Sequence, residues 1–308
     1  MAVVTPDAGA AVVRAPRSGG ALRRFGGVIR EVARRPAGLF GLIVICVLLV
    51  VVVAAPLVAP YSPYSQDIVH RLEGPSAHHL LGTDELGRDL LSRVIFGARI
   101  ALGVAIPAVL IAMFVGMLTG LISGYVGGAT DQVAIVGMDA FQAFPAVILA
   151  LALLAVLGPS LRNVVIVIGV ALAPGYARVV RAMTRAAKQN QYVEAELSLG
   201  ASTTRIAVHH LLPNIAAPLF ILIAMDIPSA IAIEAGLAFL GLGVPPPSPS
   251  WGALLADGFN YVLISPWAII GASAALMLTT LGFAMLGETL RDVLDPKLSG
   301  TRRWRRKK

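Results

Sequence analysis

The sequence has 308 residues, of which 57% are hydrophobic and 14% are charged, and its mean hydropathy is +0.80. Soluble domains carry about 25% charged residues, so this composition excludes an ordinary soluble domain and indicates an integral membrane protein. The formal net charge of +8 does not indicate nucleic-acid binding, because the basic residues lie at the edges of apolar segments rather than on one folded face. The single cysteine, Cys46, excludes an intramolecular disulfide.

Apolar segments that can each hold a span of about 20 residues occur along the whole chain. Four windows contain no charged residue, and two further segments fit with a few charged residues. In the second predicted span, the series Gly116, Gly120 and Gly124 favours close helix packing, within this subunit or against a partner. The fold class predicted is an all-α integral membrane protein with helices at about 37–59, 101–125, 133–157, 163–182, 215–240 and 266–289.

The distribution of Lys and Arg predicts the orientation, because these residues accumulate near span ends on the cytoplasmic side. Most of the 25 Lys and Arg residues lie inside when both termini are placed in the cytoplasm. We therefore predict a flexible cytoplasmic tail at 1–35, a transmembrane domain at 36–298 and a basic cytoplasmic tail at 299–308. The composition of the last segment fits contact with anionic membrane lipid.

A long external segment joins the first two predicted spans and ends in the charged run GTDELGRD. Thr83 or Asp84 is a suitable N-cap for a short helix that runs through Leu90. One side of that helix is apolar and the rest is charged, as expected of an element at the membrane surface. Two interpretations stay open, a simple connector between spans and a docking surface for an external partner.

A polar, amphipathic stretch lies between the fourth and fifth predicted spans. Residues 186–199 favour a helix, and Gly200 suits the left-handed turn that ends it. Ser202 or Thr203 can cap a second short helix, and Pro213 permits a bend into the fifth span. Helices this short are marginal in water. The groove of a cytoplasmic partner would supply the missing burial.

This stretch resembles the EAA loop of ABC importer permeases, whose pattern is E-A-A, three residues, G, nine residues and I-x-L-P. Glu196 and His210 depart from the pattern. Three further segments are similar to the dipeptide, oligopeptide and nickel branch of that family, in its DppC/OppC type of subunit, and the resemblance covers about residues 36–298. The matching loop residues are Glu194, Ala195, Gly200, Leu212 and Pro213, and the further segments are 81–102, 239–255 and 265–298.

The resemblance implies a type I ABC importer permease fold in the cytoplasmic (inner) membrane, and transport of a dipeptide or oligopeptide by alternating access. It implies a sister permease (DppB/OppB-like), two ATPase subunits and an extracytoplasmic solute-binding protein. The chain would be no enzyme and would bind no cofactor, since ATP and Mg would be used by the ATPase subunits. Consistent with this, the sequence has no G-x-x-x-x-G-K-[ST] motif.

The resemblance also implies roles for individual residues. The stretch 186–213 would be the loop that couples the permease to the ATPase. Its coupling residues would be Glu194, Ala195, Glu196, Gly200, Leu212 and Pro213. Candidate contacts with the solute-binding protein are Asp84, Arg88, Asp89 and Trp251.

Three acidic residues lie within predicted spans, where ionisable groups usually face a bundle interior or a water-filled cavity. Asp139 and Glu234 resemble positions of the family pattern, and a structural hydrogen-bonding role is favoured over substrate contact for Asp139. Asp226, beside Pro228, matches no motif of the family. It can line the pathway and meet a peptide's amino terminus, or pair with a polar group of the sister permease. All three are candidates for the translocation pathway.

Other functions are less well supported by the sequence. An ion-driven secondary transporter or channel is the alternative, with the three intramembrane acids as its ion-carrying groups. An intramembrane hydrolase is disfavoured, because the spans hold no His or paired carboxylates at a plausible spacing. The adjacent His pairs at 78–79 and 209–210 predict no metal site, because neighbouring side chains diverge by about 100° on a helix and no third ligand follows. The sequence does not decide between dipeptide, oligopeptide, nickel chelate and another solute.

Overall fold

A computed structural model describes residues 21–294, apart from the side chains of residues 21–25 and of several positions between 192 and 217. The described chain is helical and contains no named strand, only an isolated bridge between Thr83 and Asp89. The helices are α1 (Ala21–Ala33), α2 (Pro36–Val58), α3 (Leu90–Val126), α4 (Gly128–Gln142), α5 (Ala146–Leu157), α6 (Leu161–Lys188), α7 (Gln191–Ser198), α8 (Thr203–Ile206), α9 (Leu212–Phe239), α10 (Trp251–Asn260) and α11 (Trp267–Leu294).

Five described helices are long and apolar enough to cross a membrane, namely α2, α3, α6, α9 and α11. Helices α4 and α5 together cover the third predicted span, at 133–157, and they bring the number of spans to six, but the two are bent by 88° at the break between them. The break comprises residues 143–145 and ends with a proline. Pro145 has no N–H group, and it disfavours a helical conformation in the residue before it. The all-helical membrane fold is therefore confirmed, and the third span is broken rather than continuous.

The segment between α2 and α3 differs from the prediction. Residues before Leu90 form tight turns instead of a surface helix, because the Asp84 carboxylate accepts hydrogen bonds from the backbone N–H groups of Leu86 and Arg88, each at 2.9 Å. The N-cap is Asp89, whose Oδ2 accepts from the N–H of Ser92 at 2.8 Å. The second span thus begins at Leu90 rather than near residue 101. The sequence did not predict helix α10, which follows the proline-rich segment after α9.

The two ends of the described chain lie on the same side of the protein. Helix α1 occupies part of the segment predicted to be a flexible tail, and it packs on α11. Val32 is buried there, and Arg35 donates to Asp292 at 2.9 Å. Residues 1–20 and the basic tail at 299–308 lie outside the described residues. Residues 21–33 of the predicted tail are therefore helical, and the flexibility of the tail stays a prediction.

The centre of the fold is the packing of α3 against α6. The three glycines of the predicted series face α6, and a Cβ atom at Gly120 would lie 2.4 Å from the carbonyl oxygen of Ala177. Cβ atoms at Gly116 and Gly124 would lie 2.4 Å and 2.8 Å from the nearest atoms of α6. The small residues therefore serve packing within this subunit, where they let two backbones approach.

Candidate functional site

The stretch between the fourth and fifth spans folds as the predicted pair of short helices, α7 and α8. Gly200 adopts φ +80°, and the N–H of Ala201 donates to the carbonyl of Glu196 at 3.0 Å, which is the bond that closes a helix ending in a left-handed residue. A Cβ atom at Gly200 would meet nothing within 4 Å. Glycine is thus required here by the backbone conformation and not by a lack of space.

This helix pair has an inner and an outer side. Val193, Ile206 and Leu211 are buried in the subunit, whereas Leu199 at the tip is 83% exposed. Of the predicted coupling residues, Gly200 is exposed and Glu196 is half-buried; the side chains of Glu194 and Ala195 lie outside the description. An exposed leucine beside a tight turn is a surface that a partner's apolar groove can cover.

The helical backbone is continuous through Pro213, which lies in the first turn of α9. A π-helical turn over Ala207–Leu211 joins α8 to α9 directly, with Leu212 half-buried at the junction. Wide turns of this kind are frequent at functional sites. Helices α8 and α9 therefore follow one another without an intervening loop.

Salt bridges join α4 to α6 at two carboxylates, those of Asp139 and of Asp131, and Asp131 also lies 3.4 Å from Nη1 of Arg185. Asp131 accepts hydrogen bonds from Arg181 through both carboxylate oxygens, and these side chains are only 10% and 19% exposed. Asp139 accepts from Nη2 of Arg178 at 2.8 Å, but these side chains are 59% and 55% exposed. The pair of Asp131 and Arg181 is therefore largely covered, whereas the pair of Asp139 and Arg178 is open.

The other two intramembrane acids lie elsewhere. Glu234 is fully buried in its own subunit, and neither carboxylate oxygen has a hydrogen-bond partner within the part of the chain that the structure describes. The polar group that acts on it is Ser250, which caps α10. Asp226 is half-buried, and it interacts with the Tyr176 hydroxyl of α6 without forming a well-aligned hydrogen bond. The three predicted pathway acids are therefore not brought together, and Glu234 faces no open pathway in this conformation.

The residues predicted to contact a solute-binding protein are all buried. Asp84 receives the Arg88 guanidinium at 2.7 Å, and Asp89 lies 2.9 Å from Nδ1 of His79. The indole N–H of Trp251 donates to the carbonyl of Val94 at 2.9 Å, which fastens α10 to α3. In this subunit the four side chains hold the loop before α3 and α10 together. Their contact with a solute-binding protein stays a prediction.

Two further carboxyl groups near these residues, those of Glu85 and Asp257, have raised pKa values that could not be predicted from the sequence. Burial raises the pKa of Glu85, and the negative charge of Asp84 raises it further. Burial also raises the pKa of Asp257 on α10, which Arg93 and Arg88 partly offset. No local pattern could have revealed these groups, because α10 and the loop after α2 are far apart in sequence.

The described side chains contain no group of three His, Cys, Asp or Glu residues able to hold a metal ion. Helices long and apolar enough to span a membrane, a broken span and a capped helix pair between two spans together define a multi-pass membrane protein.

The comparisons with known proteins identify the family. The model of the binding-protein-dependent transport system inner membrane component matches residues 116–300. The model of the N-terminal TM domain of oligopeptide transport permease C matches residues 24–75. The chain belongs to the family of binding-protein-dependent transport system inner membrane components. It is a multi-pass inner-membrane transport component and not an enzyme.

The chain is similar to curated relatives over most of their length. It is 37% identical to the dipeptide transport system permease protein DppC of Alkalihalophilus pseudofirmus, covering 87% of this chain and 88% of that protein. It is 39% identical to the probable D,D-dipeptide transport system permease protein DdpC of Escherichia coli K12, covering 84% and 87%. It is 40% identical to the glutathione transport system permease protein GsiD of Pectobacterium atrosepticum, covering 90% of each.

A solved structure shares the fold. The inward-facing MetNI methionine ABC transporter superposes with a TM-score of 0.52 at 16% identity, and the match covers 67% of this chain and 97% of that one. At this identity the likeness supports the architecture alone.

Proposed function

We propose that this chain is a membrane-spanning subunit of an ATP-driven importer of small peptides, and that the stretch 186–213 couples it to ATPase subunits. The substrate class is supported by relatives at 37% to 40% identity whose names specify dipeptides, D,D-dipeptides or glutathione. The energy source is supported by the family, whose members serve transport systems that depend on a binding protein.

The proposed assembly contains a sister permease, two ATPase subunits that use ATP and Mg, and an extracytoplasmic solute-binding protein. The exposed tip at Leu199 supports an ATPase contact, because 83% exposure of a leucine beside buried Val193 leaves an apolar surface for a partner. The exposed ion pair of Asp139 and Arg178 supports a further protein or water-filled surface beside α4.

The observation that carries the proposal is the helical connection on both sides of the loop. Helix α7 follows α6 after two residues, and α8 continues through the π turn into α9. A displacement of the helix pair is therefore transmitted to two spans at once. Since α6 packs tightly on α3, the movement would extend to the centre of the fold and change which side of the pathway is open.

The test uses the complete importer in proteoliposomes, with radiolabelled dialanine as substrate. We expect uptake to require ATP and the binding protein, and we expect Gly200→Val to abolish it because a β-branched residue is strained at φ +80°. The matched control is Gly103→Ala, at a glycine with open space and no positive φ. Uptake driven by an ion gradient in the absence of ATP would contradict the proposal and favour a secondary transporter.

A further inference from the structure

The ion pair between Asp139 and Arg178 is open to its surroundings although it lies between two spans. More than half of each side chain is exposed, whereas the neighbouring pair of Asp131 and Arg181 is largely covered. Asp139 holds the guanidinium through Nη2 alone, at 2.8 Å. A guanidinium carries five N–H donors, so the exposed part of Arg178 can bind a second partner.

Both residues lie within predicted spans. Asp139 follows the start of the span at 133–157 by six residues, or about 9 Å at the helical rise, and Arg178 precedes the end of the span at 163–182 by four residues, or about 6 Å. The short side chain of Asp139 cannot reach an interface from this depth, as a long lysine or arginine can. Charged groups at such depth face protein or a water-filled cavity rather than lipid.

The backbone gives a second, independent indication for the same face. Gln142 and Ala143 follow Asp139 by three and four residues, so the three share one side of α4 up to the break. The break itself, at residues 143–145, is exposed in this subunit. Non-helical backbone at membrane depth occurs only where protein covers it or where it lines a water-filled cavity. Both observations place this face against another protein surface or a water-filled cavity rather than against lipid.

The chemistry of the pair fits one end of a peptide. A guanidinium binds a carboxylate with two parallel hydrogen bonds, which gives orientation as well as attraction. On the basis of the proposed function, we propose that Arg178 binds the free carboxylate of a peptide during its passage, and that Asp139 positions the guanidinium and neutralises it when the pathway is empty. The ligand class is a small peptide with a free carboxyl terminus.

The first experiment compares uptake of labelled dialanine and labelled dialanine amide by the complete importer. Selection by the binding protein is common to all variants and cancels when the acid-to-amide ratio of each variant is divided by that of the wild type. We expect Arg178→Gln to lower this ratio about tenfold, the effect of losing one hydrogen bond to a charged group. Arg178→Lys should lie between the two, because it keeps the charge but not the fork. The control Arg185→Gln, another exposed basic residue of α6, should keep the wild-type ratio.

The second experiment measures accessibility directly. Gln142→Cys, in a Cys46→Ala background, should react with a membrane-impermeant thiol reagent, whereas Val53→Cys, at an exposed position of the apolar helix α2, should not. Dialanine should protect the thiol introduced at 142, and adding Arg178→Gln should remove that protection.

Two results would overturn the inference in an importer whose wild type takes up dialanine. One is an acid-to-amide uptake ratio that Arg178→Gln leaves unchanged, and the other is a thiol at position 142 that dialanine does not protect. A purely structural ion pair would give that result. A wild-type importer that takes up neither peptide would instead overturn the proposed function, and this inference with it.

Discussion

The seam between α3 and α6 allows a sharp test of the fold with one substitution at two sites. Gly120 and Gly103 both lie in α3, and both are helical. A Cβ atom at Gly120 would lie 2.4 Å from the carbonyl oxygen of Ala177 and 2.8 Å from Cβ of Val180, whereas one at Gly103 would meet nothing within 4 Å. Gly120→Ala and Gly103→Ala therefore differ only in the space available.

The magnitude follows from these distances. Ordinary contacts begin near 3.4 Å, so α6 must move away from α3 by about 1 Å to admit the methyl group at position 120, and overpacking of this kind costs about 1 to 3 kcal/mol. At position 103 the substitution gains helix propensity, up to about 1 kcal/mol. One kcal/mol corresponds to about 2 to 4 °C in Tm for a chain of this size. We expect Gly120→Ala to melt several degrees below the wild type and Gly103→Ala at or above it.

The assay is thermal unfolding of the importer in detergent, followed by the fraction of protein that remains monodisperse on size-exclusion chromatography after heating. The two variants are compared with each other, so that any general effect of alanine in α3 cancels. If Gly120→Ala is as stable as Gly103→Ala, the close approach of α3 and α6 is wrong.

Three further predictions concern the external surface and the loop. Trp251→Phe removes the indole N–H that donates to the Val94 carbonyl in the described structure. We expect the free energy of unfolding to fall by about 1 to 3 kcal/mol, which is measured as a lower Tm. Asp257→Asn should raise Tm at neutral pH and leave it unchanged at acid pH. Burial raises the folded pKa of Asp257 above its ordinary value of 3.8. The favourable contribution of this carboxyl group to stability is therefore complete below 3.8 and is lost as pH rises through the folded pKa. A pH-independent effect would contradict this assignment. Leu199→Asp should leave Tm unchanged, since the side chain is 83% exposed, yet it should lose the ATPase subunits on co-purification; retention of those subunits would contradict the contact.

The spans and the helix pair could be read from the sequence because their signals are local. Charge-free windows locate apolar helices without knowledge of their neighbours. The turn at Gly200 is also a local signal. A left-handed glycine followed by a serine that caps the next helix is a short-range pattern, and the structure has both features.

The features that could not be read depend on contacts between distant residues. The start of α3 was misplaced because Asp84 folds back on its own backbone and leaves Asp89 as the cap, a choice that periodicity does not reveal. The burial of Trp251 depends on Val94, which lies in another helix. The π turn at Ala207–Leu211 has no sequence signal that we can identify. The partner of Asp139 was likewise undetermined, because Arg178 is on a different span.

The central claim is that the loop between α6 and α9 is covered by an ATPase subunit. The most direct measurement is the reactivity of the thiol introduced by Leu199→Cys in a Cys46→Ala background, in the isolated permease pair and in the complete importer. The account predicts rapid labelling in the first case, because the position is exposed, and strong protection in the second. Equal labelling of both preparations would show that no ATPase is bound to this loop.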